Sequence, residues 1–285
     1  MSNKSMELVI IDPQADFCIP DGEIPGVKTG ALLVPGAYDD MKRLAKWIRK
    51  NIGKIDRIRV TLDSHTPLDV AHKGFWVDQN GNHPLPLSEA IKQTGAPTLI
   101  SAKDVKDGVW RPVRPSDIQR MISYTEQLEK DGKLQLCIWD DHCLIGSPGH
   151  MIVPELMDVL NEWSIQRMRW VDYVTKGSYP FTEHYGAFAA EVPDPQQPST
   201  GLRTDIIKVM EDADVLVWSG EAASHCLKTS MEQALGNFGE DSIKKSVLLE
   251  DTSSCIPGFE QGYNDFVDEY KAKGLTVSTT EDFLS

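Results

Sequence analysis

Cys226 closes the segment Trp218-Ser219-Gly220-Glu221-Ala222-Ala223-Ser224-His225-Cys226, where an apolar run from Ala213 to Trp218 gives way to small residues. The run reads as a buried parallel strand, and Met231, Ala234 and Leu235 supply the later apolar positions of a helix starting at the cysteine. The unpaired N–H groups and partial positive charge of a helix start favour thiolate over thiol. A thiolate attacks amide and ester carbonyls, and the same N–H groups can hold the oxyanion that forms. The competing reading is a small buried hydrophobe. Other reactive side chains also follow apolar runs: Asp12, Asp63 with His65, His142 and Lys176. In open parallel sheets, chemistry gathers at the carboxyl ends of strands. Asp12 then reads as a base for the Cys226 thiol, and Lys176 as a cation that stabilises the thiolate and pairs with Asp12. Asp63-Ser64-His65 places a carboxylate and an imidazole on one face of an extended segment. With His142 or His72 as third ligand, or both, these groups would form a divalent-metal site. Donors of this kind leave zinc, iron and manganese open.

The elements that must position these groups alternate. Strand-like runs cover Leu8 to Ile11, Ile58 to Leu62, Leu134 to Trp139, Met168 to Val174, Ala213 to Trp218 and Ser246 to Leu249, with a closing strand at Leu275 to Ser278. Helical patterns cover Tyr38 to Ile52, Val153 to Trp163, Ile206 to Met210 and Phe259 to Lys271. This alternation predicts an α/β fold, three-layer α/β/α, with a central and mostly parallel sheet. Residues 74 to 133 interrupt the rhythm, Gly-, Pro- and Asn-rich at first and helix-forming from Ile118 to Leu128. They read as an insertion within a single domain spanning 1–285, either covering a site or elaborating the surface. Trp110, Arg111 and Arg114 within it could line a rim, pair with a neighbouring subunit or fold the insertion.

Composition narrows the partners. A formal charge of −14 over 285 residues, with no basic cluster, argues against nucleic acid and anionic membrane. No apolar stretch is long enough to span a bilayer, and Met1 to Met6 carries no signal-peptide pattern. The cysteines Cys18, Cys137, Cys143, Cys226 and Cys255 are scattered, which suits reduced thiols in a cytoplasmic protein. A homo-oligomer is left open.

Taken together, the motifs resemble the nicotinamidase branch of the isochorismatase-like cysteine hydrolases. Ile11-Asp12-Pro13-Gln14-Ala15-Asp16-Phe17 resembles the family's Asp-x-Gln-x-Asp-Phe motif, and Asp63-Ser64-His65 followed by His72 resembles its metal motif. Trp139-Asp140-Asp141-His142-Cys143-Leu144-Ile145-Gly146-Ser147-Pro148-Gly149 resembles Trp-Pro-x-His-Cys-Val-x-Gly-Thr-x-Gly, with Asp140 in place of proline. Thr175-Lys176-Gly177, followed by Tyr185-Gly186-Ala187-Phe188, resembles the catalytic-lysine segment, and Gly220 to Cys226 the Gly-x-Ala-x-x-x-Cys turn. The resemblance implies an isochorismatase-like fold and a metal-dependent amidohydrolase that converts nicotinamide to nicotinic acid and ammonia through a thioester, in NAD salvage. It implies Asp12, Lys176 and Cys226 as catalytic residues and Ala222 and Cys226 as oxyanion donors, with a cis bond between Glu221 and Ala222. The metal ligands would be Asp63, His65 and His142, with His72 a fourth candidate, and zinc the first-choice divalent ion. Phe17, Trp139 and Tyr185 would contact a small-molecule amide. Alternatives are an amidase for another small carboxamide or carbamoyl compound, and a homologue that binds ligand without turnover.

Overall fold

The computed structural model describes residues 4–130 and 135–284. The main sheet contains β1 (Met6–Ile11), β2 (Arg57–Asp63), β3 (Asp172–Lys176), β4 (Val215–Gly220), β5 (Ser246–Leu249) and β6 (Thr276–Ser278). Its order is β6-β5-β4-β1-β2-β3, and every neighbouring pair is parallel. The longer helices are α1 (Ala37–Asn51), α2 (Leu87–Thr94), α3 (Ile118–Lys130), α4 (Pro154–Arg167), α5 (Thr204–Glu211), α6 (Lys228–Leu235) and α7 (Glu260–Ala272).

The two-residue period of β1 assigns its side chains to two cores. Leu8 and Ile10 pack with Met41, Leu44 and Ile48 of α1 and with Leu160 and Trp163 of α4. Val9 and Ile11 pack on the opposite face with Ile207 of α5, Met231 and Leu235 of α6, and Phe266 of α7. Helices therefore cover both faces, as the β-α alternation predicts. No helix among the described residues is long and apolar enough to cross a membrane.

Two expectations change. The run Leu134 to Trp139 is not a strand of the main sheet. Leu134 lies outside the described residues, Leu136–Cys137 pairs antiparallel with Leu99–Ile100, and Trp139 bridges to His72. An apolar run of this length fits a core strand and a side ladder equally, so its sequence pattern does not discriminate. The expected strand from Met168 begins only at Asp172, because Met168 takes a left-handed conformation (φ +52°) that ends α4. Residues 74–130 of the expected insertion carry apolar side chains into the interior. Phe75, Trp76, Val105, Met121 and Leu128 form a third apolar cluster with Ile138 and Trp139.

Candidate active site

Strand order reverses at β1. β2 and β3 lie on one side of it, while β4, β5 and β6 lie on the other. The crevice at such a switch point is where parallel sheets place ligands. Ile11 is registered with Gly220, and Asp63 with Lys176, so the ends of four strands converge there. The approach of β4 to β1 demands glycine at 220. Its φ is +120°, and a Cβ there would stand 2.1 Å from the Ile11 carbonyl oxygen.

Lys176 is the centre of the cluster. Its Nζ lies 3.0 Å from Asp12 Oδ2 and 3.0 Å from Asp63 Oδ1, donates to the His184 carbonyl at 2.9 Å, and stands 3.7 Å from Cys226 Sγ. Burial opposes its charge, but Asp12 and Asp63 hold its pKa well above the ordinary lysine value. Asp12, at φ +42°, is pinned by Thr61, whose Oγ accepts from the Asp12 N–H at 3.0 Å and donates to Oδ1 at 2.5 Å. Burial raises the Asp12 pKa against the attraction of Lys176, with Asp63 adding to the rise.

Cys226 departs from the expected start of an α-helix. It lies in a single π-helical turn, Ala223–Leu227, that feeds α6. Such turns are frequent at functional sites. Burial, opposed by Lys176 and reinforced by Asp12 and Asp63, raises the thiol pKa well above its ordinary value. The Glu221–Ala222 peptide bond is cis.

Beside this cluster, His65, His72 and His142 offer ring nitrogens within 4.8 Å of one another. Asp63 faces two of them, with Oδ1 3.1 Å from His65 Nε2 and Oδ2 3.3 Å from His142 Nε2. Outer partners orient the rings: Asp69 Oδ2 lies 3.0 Å from His65 Nδ1, and the Asp140 carbonyl 2.7 Å from His142 Nδ1. His72 carries the test of fit. Both of its ring nitrogens are buried without a hydrogen-bond partner. Burial, with His142 and His65 adding, pushes its pKa down to about 2, which leaves the neutral, ligating form. Asp63 and Asp69 draw the His65 pKa up against burial. The three histidines, His72 among them, fit a divalent metal, and Asp63 stands beside two of them.

A chamber of about 30 Å³ joins both groups. Phe17, Trp139, Tyr185, Ala222 and Cys226 line it together with Asp63 and His142. The expected site residues thus meet in one place. Trp110, Arg111 and Arg114 do not reach it: Trp110 packs on the third apolar cluster, Arg111 donates to the Asp78 and Gln79 carbonyls, and Arg114 pairs with Asp117. Sequence reasoning missed the supporting residues. Gln14 bonds the Asp63 backbone through both its amide oxygen (2.7 Å) and its nitrogen (2.8 Å), and Asp16 accepts from the Cys143 N–H at 2.7 Å. Thr61, on the same strand face as Asp63, and Asp69, four residues after His65, were signals available from spacing. Glu221 was also passed over. Its Oε2 accepts from Ser254 N–H at 3.0 Å, and Ser254 Oγ donates to Asp40 at 2.5 Å.

No protein-family model matches the sequence, and no curated protein is significantly similar to it. The fold is nevertheless shared with solved structures. Yeast nicotinamidase Pnc1p, bound to the inhibitor nicotinaldehyde, is 17% identical with a TM-score of 0.60, over 96% of this chain and 99% of that one. The pyrazinamidase of Pyrococcus horikoshii in complex with zinc is 17% identical with a TM-score of 0.53, over 96% and 99%. An isochorismatase family protein from Desulfovibrio vulgaris is 16% identical with a TM-score of 0.50, over 98% and 96%. The chain has the three-layer α/β/α fold of these isochorismatase-like proteins.

Proposed function

We propose that this protein is a cysteine amidohydrolase acting on a small primary carboxamide, with nicotinamide the first substrate to test. The observation that carries the proposal is the buried Lys176 ammonium, 3.0 Å from both Asp12 and Asp63 and 3.7 Å from the Cys226 sulfur. It brings nucleophile, proton acceptor and cation together at the switch point of the sheet. That yeast Pnc1p, with the same fold, binds nicotinaldehyde supports a pyridine carboxamide.

Cys226 passes its proton to Asp12 and attacks the carbonyl carbon, forming a C–S bond, while Lys176 stabilises the sulfur's charge. The Ala222 and Cys226 N–H groups hold the oxyanion. Asp12 returns the proton as the C–N bond breaks, and ammonia leaves. Asp12 then takes a proton from water, whose oxygen attacks the thioester. The C–S bond breaks to give the acid, and Cys226 regains its proton. Phe17, Trp139 and Tyr185 orient a flat ring by apolar contact. A divalent cation held by Asp63, His65, His72 and His142 would supply Lewis acidity and an anchor for a ring nitrogen. Zinc is the first choice, since the Pyrococcus horikoshii pyrazinamidase holds it.

The test is ammonia release from nicotinamide by wild type and Cys226→Ala. Release that vanishes in the variant is expected. Equal release from both proteins would overturn the mechanism.

A further inference from the structure

The chamber does not end at its aromatic lining. It shares Trp139, Tyr185, His225 and Ile256 with an adjoining apolar groove of about 550 Å³. Where the two spaces meet, the Trp139 ring lies 6.2 Å from Tyr185, and both rings lie 5.9 Å from His225. The outer wall comes from the segment that breaks the β-α rhythm, with Leu87 and Ile91 of α2 and Leu99 facing Phe259. Ile91, Leu99 and Phe259 are 46%, 43% and 44% exposed, so the groove keeps apolar area in water. Among the described residues, no Asp, Glu, Lys or Arg lines it.

The wall is also held in register with the chemistry. Asp140 accepts from Ser88 N–H at 2.8 Å and from Ser88 Oγ at 2.5 Å, at the first turn of α2. The same residue's carbonyl oxygen orients His142. A groove that shares four residues with the chamber, and is tied to its histidine, is placed to receive part of a molecule whose other end reaches Cys226.

We propose that the groove is an acyl-tail subsite of the active centre, taking the apolar tail of a primary carboxamide longer than nicotinamide, of the aliphatic or arylalkyl class. The proposal rests on the amidase reading above. A long apolar amide gains by burying its methylenes, about fourfold for each one fully covered.

The test uses butanamide, hexanamide and octanamide beside nicotinamide. For wild type, kcat/KM is expected to rise at least tenfold from butanamide to octanamide. The gradient should collapse in Leu99→Asp and in Ile91→Ser, two substitutions at half-exposed positions. Calorimetric binding of the same amides to Cys226→Ala protein reads the subsite without turnover, and octanamide should again bind at least tenfold tighter. Nicotinamide turnover with no gradient in rate or binding overturns the subsite and leaves the amidase reading standing. A binding gradient with no ammonia from any amide supports the subsite and overturns the amidase reading. A gradient that survives both wall substitutions also overturns the subsite.

Discussion

Asp12 sits between two demands. In the proposed mechanism it accepts the Cys226 proton, yet it lies 3.0 Å from an ammonium that favours its charged form. Burial offsets that attraction and raises its pKa, so the carboxylate is a stronger base than an exposed aspartate. Asp12→Asn keeps the shape and the Thr61 contact but cannot take a proton. The expected result is a kcat lower by about 10²–10⁴-fold, with amide binding within a few-fold of wild type. Steady-state kinetics and calorimetry read the two effects separately, and near-normal kcat would remove Asp12 from the proton path.

At the scale of the element, the nucleophile turn is braced from behind. The strap at residues 253–256 donates Ser254 N–H to Glu221 Oε2, accepts the Ala223 N–H at the Ser254 carbonyl (2.8 Å), and donates Ile256 N–H to Ser224 Oγ (3.1 Å). Burial, with Asp40 adding, raises the Glu221 pKa well above its ordinary value. Glu221→Ala strands those partners and should cost about 1–3 kcal/mol of stability, together with a loss of kcat. Glu221→Gln offers both a donor and an acceptor and should recover most of both. Urea denaturation and kcat check the pair, and equal damage from the two variants would count against the brace. This element was half legible from sequence. Ala213 to Trp218 announced the strand and Cys226 the turn, because burial and small residues leave a pattern. Glu221 left none, since one acidic residue at a strand end looks like any solvated turn residue. Asp140 was hidden for the same reason: its bonds to Ser88 depend on where the intervening segment folds. The run ending at Trp139 was misplaced because side ladders and core strands bury similar residues.

Across the whole molecule, acid sensitivity follows from histidines held neutral around the chamber. Burial pushes the pKa of His184 and of His225 down to about 4. The unfolded chain, with histidines near 6.5, takes those protons first. Stability is therefore full above about pH 6.5 and is lost as pH falls toward 4. At pH 5 the loss for His225 is on the order of 2 kcal/mol. His225→Gln should show a smaller drop in Tm between pH 7 and pH 5 than wild type, and an unchanged drop would remove His225 from the account. The layered sheet that sets these depths was legible from the β-α alternation. The burial of individual imidazoles was not, because His72 and His225 are placed by segments whose folding no local period records.

Asp140 has one last implication. Its backbone steers a candidate metal ligand while its side chain anchors the wall of the apolar groove. In the proposed reading, groove selectivity and metal geometry share a mechanical joint. Redesigning the groove by shifting α2 would pull on His142, so mutations in the wall and in the metal loop should combine non-additively.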